Sequence, residues 1–233
     1  MNKPIALTIV ASVLLGSAAV MAAQAPAPLQ PERMSFFVTS AKHSGNLGGL
    51  AGADAICQRL AQAAGSPANR VWRAYLSTQG TPQAPSVNAR DRIGNGPWFN
   101  VRGVMIAANL ADLHGDVQRD ANLIFAETAI TEKGELVPAR VGRPEGVNNE
   151  HDMLTGSDSH GRAFPAGMSS QGDDRTCKNW TSDSPNDHAM IGHHDRQSQW
   201  NTSWNSSHTT SGCSAEAFVT TGGAGRFYCF ATN

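Results

Sequence analysis

Hydrophobic and polar positions follow helical spacing in one part of the chain. Apolar or small side chains recur at that spacing between positions 53 and 64, and Cys57 lies on the same stripe. Gly65 and then Pro67 end the run, as expected at a helix carboxyl end. The pattern predicts a helix that carries Cys57 on its buried face.

Strand-like patterns occur before this helix, directly after it and at the carboxyl end of the chain. Residues 34–40 contain a run of strong β formers, and residues 71–77 alternate two sets of side chains. Residues 227–231 alternate in the same way, which places Cys229 on an inward face. These segments predict the first, second and last strands of a sheet.

The middle of the chain has weaker patterns. Residues 101–106 and 123–125 are predicted as short strands, and turn-forming residues dominate from position 131 to 187. We therefore predict an α+β fold with a mixed, mostly antiparallel sheet, a helix after the first strand and long polar loops.

The amino terminus has the pattern of an export signal. A short positive start at Lys3 precedes an apolar stretch over 5–20, and small residues follow at 22–25, where we expect cleavage. No later segment is apolar enough to span a membrane. The sequence thus predicts a secreted or periplasmic protein.

Three segments are predicted along the chain. Residues 1–25 form the signal peptide, and residues 26–33 form a Pro-rich linker. The remaining residues, 34–233, have a length that suits one domain.

Charge and composition limit the partners. The chain has 18 Lys and Arg against 19 Asp and Glu, a balance that attracts neither nucleic acid nor an anionic membrane. Aromatic residues make up 6% of the chain and glycine is abundant, which indicates a compact core that carries long polar loops.

All four cysteines follow the predicted signal, and an even number in an oxidising compartment predicts two disulfides. Spacing alone leaves three pairings open. Packing of the helix on the sheet would make Cys57 and Cys229 natural partners, which leaves Cys177 for Cys213.

Several short motifs occur in an order typical of one known domain. They are Gly49-Leu50-Ala51-Gly52-Ala53-Asp54 before Cys57, Trp72-Arg73-Ala74-Tyr75-Leu76-Ser77, Gly156-Ser157-Asp158, Cys177-Lys178-Asn179-Trp180-Thr181, and then Cys213 and Cys229 in that order. Through these motifs the chain resembles the endostatin module of certain collagens, a C-type-lectin-like domain, from about position 36 to 230. This resemblance implies a C-type-lectin-like fold and the nested pairs Cys57–Cys229 and Cys177–Cys213.

Candidate ligand-binding residues lie in the polar stretch 179–212. A Pro-Asn element and two Trp-Asn pairs resemble the elements with which lectins hold Ca²⁺ and sugar hydroxyls through oxygen ligands. Because Ser184 replaces a carboxylate there, a long loop folded on two tryptophans is the favoured alternative to a calcium site. The candidates are Asn186, Asp187, Trp200, Asn201, Trp204 and Asn205.

A second group of candidates is rich in histidine. His188, His193 and Asp195 carry imidazole and carboxylate groups that suit zinc or another divalent ion. A solvated polar loop is the alternative that we favour, so neither zinc nor calcium is firmly predicted as a cofactor.

Motifs of nucleophilic, metalloprotease and phosphate-binding enzymes are absent from the sequence. We therefore expect a non-catalytic recognition domain whose partner is a glycan. The alternatives are a structural or protein-binding module of the cell envelope and, less favoured, a metal-dependent hydrolase. The step from fold to ligand is an analogy.

Overall fold

The computed structural model describes residues 27–118, 121–165, 174–199 and 201–233. The predicted signal peptide lies outside these residues. The elements, in chain order, are β1 (Phe36–Val38), α1 (Gly49–Ala63), β2 (Trp72–Ala74), a short 3-10 helix (Ala89–Asp91), β3 (Trp98–Phe99), β4 (Met105–Ala107), α2 (Leu110–His114), β5 (Asp152–Leu154), a tight turn (Cys177–Trp180), β6 (Met190–His193), β7 (His208–Thr209), α3 (Ala215–Thr221) and β8 (Gly223–Ala231).

One mixed sheet organises the domain. Its strands lie in the order β1, β8, β5, β6, β7, and β2 also pairs with β8. The β5–β8 pair is parallel and the other pairs of this sheet are antiparallel. A separate two-stranded ribbon joins β3 and β4. The structure thus confirms the predicted α+β class, with a mixed sheet and a helix after the first strand.

Strand β8 is the centre of the fold because both of its faces are buried. Side chains alternate across a strand, so Phe227 and Cys229 join the core beneath α1, whereas Tyr228 and Phe230 join a second core on the other face. A strand covered on both sides needs apolar residues at successive positions, which the carboxyl end of this chain supplies.

Helix α1 is fixed to β2 through Asp54. The Asp54 carboxylate accepts a hydrogen bond from the backbone N–H of Ala74 at 2.9 Å. The Arg92 guanidinium donates to both carboxylate oxygens, at 2.8 and 2.7 Å. A paired, hydrogen-bonded carboxylate explains an acidic residue on the inner side of a helix otherwise packed through small residues.

The disulfides join Cys57 to Cys229 and Cys177 to Cys213, which are the pairs that we predicted. They close segments of 172 and 36 residues, for which the chain-entropy model gives stabilisations of about 5 and about 4 kcal/mol. The first links α1 to β8, and the second links the tight turn to the segment before α3.

The tight turn Cys177–Trp180 has left-handed backbone, with φ between 48° and 67° at all four residues. Such backbone costs non-glycine residues free energy, so the surroundings must hold it. The Cys177–Cys213 disulfide does so at one end, and at the other the Trp180 indole donates to the backbone oxygen of Ser77 at 2.8 Å.

Two predicted strands differ from the structure. In 101–106, regular strand structure begins only at Met105, because the preceding residues form a turn closed by Asn100. The prediction for 123–125 is wrong: the side chains of Asn122 and Thr128 accept from the backbone N–H groups of Ile124 and Phe125 and replace strand partners.

The described part of the Pro-rich linker lies against the domain, where the backbone N–H of Gln30 donates to Val101 at 2.7 Å. Among the described residues, no helix has the length and apolar character needed to cross a membrane.

Candidate functional site

Three neighbouring strands bring together a group of histidines and one aspartate. Asp152 on β5 lies directly opposite His193 on β6, and His208 on β7 lies opposite Ile191. Because Ile191 and His193 are two residues apart on one strand, their side chains share a face. The register therefore places Asp152, His193 and His208 side by side, and His151 stacks on His193 with 4.2 Å between ring centroids. We call these four residues the histidine cluster.

The ligand atoms of His151, Asp152 and His193 all lie within 4.8 Å of one another, and Nε2 of His208 lies beside them. The Nε2 atoms of His151, His193 and His208 lie 3.1, 3.4 and 3.8 Å, respectively, from Oδ1 of Asp152. The Nε2 atoms of His193 and His208 are 3.1 Å apart. Asp152 is 2% exposed, yet neither of its carboxylate oxygens accepts a hydrogen bond of normal geometry from the described residues. A buried carboxylate in that condition is costly unless a cation balances it.

Each histidine of the cluster is held through its other ring nitrogen. Nδ1 of His151 lies 3.0 Å from an Asp195 carboxylate oxygen, and Nδ1 of His208 lies 3.1 Å from the backbone oxygen of Thr209. Nδ1 of His193 lies 3.2 Å from the Ser207 hydroxyl oxygen. These contacts orient all three rings.

Neighbouring groups shift the pKa values of His151 and of Asp195, which contacts it. Burial alone would lower the pKa of His151, but the carboxylates of Asp152 and Asp195 outweigh it and raise this pKa to about 9. Burial would raise the pKa of Asp195, yet hydrogen bonds from His151 and from the backbone of Arg140 and Gln197 lower it to about 2. Asp195 is therefore ionised and can only accept hydrogen bonds.

The predicted metal residues lie in different places. His193 belongs to the histidine cluster, and Asp195 contacts it through His151. His188 is separate, since its Nδ1 lies 2.9 Å from the backbone oxygen of Thr210. His194 is fully buried, and burial lowers its pKa to about 4.

Sequence reasoning missed His151, Asp152 and His208. The first two lie in the turn-rich region 131–187, and strand pairing to a segment some 40 residues away made them neighbours of His193. The only sequence feature that marks them is a polar Glu-His-Asp run at 150–152.

A polar cleft lies beside the cluster. It has a volume of about 520 Å³, within the usual range for small-molecule sites. Amide, hydroxyl and guanidinium groups surround it, and Trp204 contributes an aromatic ring. The lining residues relevant here are Asn122, Arg196, Asn201, Thr202, Trp204 and Asn205.

The cleft contains three of the predicted ligand residues. Trp204 is 5% exposed and packs on Tyr75 and Tyr228, so most of the indole belongs to the core. The Asn205 amide lies 3.0 Å from the Tyr75 hydroxyl, and that of Asn201 lies 2.9 Å from the backbone oxygen of Ser206. Both amides thus support the shape of the cleft.

The other predicted ligand residues lie elsewhere. Asp187 accepts from the Ser182 hydroxyl at 2.5 Å and pairs with Lys178 at 3.3 Å. Its neighbour Asn186 is exposed on the same turn. Trp200 lies outside the described residues. The structure therefore does not bring the Pro-Asn element into the cleft.

Compared with models of known protein families and with characterised proteins, the chain matches none. The geometry of the histidine cluster and of the polar cleft is therefore the basis for assigning a function.

Proposed function

We propose that this chain is an exported, non-catalytic recognition domain of the C-type-lectin-like class, related to endostatin modules, that binds carbohydrate in the polar cleft. The α+β fold, the helix after β1 and the two nested disulfides support the class. Two disulfides also support an oxidising compartment, either the periplasm or the cell exterior.

The observation that carries the ligand class is the chemistry of the cleft. Sugars present many hydroxyl groups and apolar ring faces, and proteins recognise them with amides, hydroxyls and aromatic rings. The exposed Thr202 and the partly exposed Ser203 and Ser206 line the cleft beside Trp204. Its lining has few apolar side chains, which disfavours a hydrophobic ligand.

A glycan array tests this proposal when the parent chain is compared with Thr202→Arg. Thr202 is exposed and lines the cleft, so the long side chain should occupy the cleft with little effect on the core. We expect glycan binding by the parent and at least about tenfold weaker binding by the variant.

Gln83→Arg is the matched control, since it adds the same charge to an exposed loop away from the cleft. Parent-like binding is expected for it. If the parent binds no glycan, or if both variants bind as the parent does, the proposed ligand or its site is wrong.

A second candidate function, a protein-binding module of the cell envelope, is favoured by one apolar surface. Leu136 and Val141 are 67% and 68% exposed and line a shallow groove with Val147. Large exposed apolar side chains grouped in this way are typical of protein contacts. The partner would be an envelope protein that presents an apolar surface.

Cross-linking to the envelope fraction separates the two candidates. If protein binding is the function, Leu136→Ser with Val141→Ser should abolish one defined cross-linked product, and Thr202→Arg should leave it intact. Loss of the product in both variants, or in neither, would contradict this second candidate.

A further inference from the structure

The hydrogen bonds around the histidine cluster fix the protonation of its rings. Both carboxylate oxygens of Asp195 accept backbone N–H groups, those of Arg140 and Gln197, and the Thr209 partner is a backbone oxygen, so neither donates to a ring. His151 and His208 must therefore carry a proton on Nδ1. In a neutral imidazole, this leaves an unshared electron pair on Nε2.

The hydrogen bonds of the Ser207 hydroxyl place the proton of His193 on Nδ1 as well. The Ser207 hydroxyl donates its only proton to the backbone oxygen of Asn201, at 2.9 Å. Its oxygen is thus an acceptor for Nδ1–H of His193. Nε2 of all three rings therefore faces the buried carboxylate of Asp152, and the second proton that the raised pKa of His151 places on its Nε2 would leave when a metal ion binds.

The electron pairs of His193 and His208 lie close to an anion, so the cluster needs a cation among its atoms. A proton on Nε2 of His151 supplies one, yet neither oxygen of Asp152 accepts a well-formed hydrogen bond from the described residues. A metal ion would bind His151, Asp152 and His193, whose ligand atoms all lie within 4.8 Å of one another, with His208 at the edge of this group.

The spacing fits a tetrahedral ion. Ligand bonds of about 2.0 to 2.1 Å imply ligand-to-ligand distances of about 3.4 Å in a tetrahedron. Nε2 of His151 and of His193 lies 3.1 and 3.4 Å from Asp152 Oδ1, close to this value, and the ligand atoms of these three residues all lie within 4.8 Å of one another. Nε2 of His208 lies 3.1 Å from that of His193 and 3.8 Å from Asp152 Oδ1.

We propose that His151 and His193, through Nε2, and Asp152, through Oδ1, form a site for a divalent transition-metal ion, zinc by preference, with the partly exposed His208 as the fourth ligand. Three imidazoles with one carboxylate suit zinc, whereas Ca²⁺ takes oxygen ligands. Asp195, Ser207 and the Thr209 backbone are outer partners that orient the rings, an arrangement usual around protein-bound metals.

Four protein ligands make a closed site of the structural kind, which leaves no position for a reacting water. The ion would join β5, β6 and the two-residue β7. The His208 side chain is 41% exposed, which gives the ion a route from solvent. The site is separate from the proposed sugar function and does not depend on it.

Titration of the metal-free, disulfide-intact full chain with zinc, in competition with a chromophoric chelator, tests the proposal. We expect one zinc per chain for the parent. His208→Ala should weaken zinc binding at least about 100-fold, and Asp195→Asn, through loss of ring orientation, about 10- to 100-fold. Circular dichroism of each variant checks that the fold is retained.

His160→Ala is the matched control, because His160 is similarly exposed and also faces a carboxylate, that of Asp116 at 3.4 Å. It should bind zinc as the parent does. Absence of saturable zinc binding would mean that protons alone fill the cluster, and parent-like affinity in folded His208→Ala would place the ion elsewhere; either result overturns the proposal. No glycan is present in these titrations, so their failure is distinct from failure of the sugar proposal.

Discussion

The histidine cluster and the polar cleft are neighbours built in different ways. The cluster takes Asp152, His193 and His208 from three paired strands, so backbone hydrogen bonds fix the positions of its side chains. The cleft takes most of its lining from loops, and Asn201 and Asn205 use their amides to hold those loops. Strand register thus positions charged groups for an ion, whereas the two loop amides hold the loops and leave the exposed Thr202 facing the cleft.

The largest effect is expected for the buried charges next to the cluster. Arg226 on β8 is 8% exposed and donates to Glu150 at 2.9 Å. Glu150→Ala leaves this guanidinium buried without its carboxylate and should lower the free energy of unfolding by about 3 to 5 kcal/mol, measured by urea denaturation.

Lys42→Ala is the control for that experiment. Lys42 pairs with the same carboxylate but its side chain is 57% exposed, so its loss should cost less than about 1 kcal/mol. Equal losses for the two variants would show that burial does not decide the contribution of each cation.

Removal of zinc should have the next largest effect. An ion that binds only the folded chain stabilises it by about 4 kcal/mol when free zinc exceeds the Kd 1,000-fold. A chelator should therefore lower the Tm of the parent but leave that of His208→Ala unchanged. If neither the chelator nor added zinc changes the Tm of the parent, the histidine cluster does not hold an ion and does not differ from the cleft in this way.

A smaller effect is expected beneath the cleft. The Tyr75 hydroxyl donates to Nε2 of His114 at 2.9 Å and accepts from the Asn205 amide at 3.0 Å, all in the core. Tyr75→Phe leaves the buried Nε2 of His114 without its partner and removes one of the three acceptors of the Asn205 amide, and it should cost about 1 to 3 kcal/mol by urea denaturation.

Tyr228→Phe removes a single hydrogen bond, to the backbone oxygen of Trp204, and should cost about 1 kcal/mol. A larger loss for this variant than for Tyr75→Phe would mean that the hydroxyl network does not hold the base of the cleft.

The smallest effect is expected at the exposed rim. Asn201→Ala loses two exposed hydrogen bonds from its amide, to Ser206 and Ser207, and one that its oxygen accepts from Ser203; because all are exposed to water, the loss should be about 1 kcal/mol. Because the cleft depends on this loop more than the cluster does, glycan affinity should fall more than zinc affinity. Calorimetric titration with each ligand measures both, and the opposite order would show that the loop controls the metal site.

Local sequence patterns were enough for the elements with regular periodicity. Helix α1, the first two strands and β8 have strong apolar spacing, and the inward positions of Cys57 and Cys229 follow from it. Residues 123–125 lacked such support: Leu123 donates one backbone hydrogen bond to β4, but the N–H groups of the next two residues bond to nearby side chains.

The histidine cluster could not be predicted in the same way. Its members are separated in the sequence, and only the antiparallel register of β5 with β6 and of β6 with β7 brings them together. His188 was predicted to join His193, but it precedes β6 and contacts the backbone of Thr210 instead. Trp204 was a candidate ligand residue because its Trp-Asn pair resembles a lectin element, with loop packing as the alternative, and most of its ring fills the core.

In the proposed metal site, three Nε2 atoms bind one ion beside Asp152. Long-range ¹H–¹⁵N correlation spectra of the zinc-loaded chain report which ring nitrogen of each histidine carries the proton. We predict that His151, His193 and His208 keep the proton on Nδ1 and that their Nε2 resonances shift when zinc is added. Nε2 atoms that stay protonated and do not respond to zinc would contradict the proposed metal site.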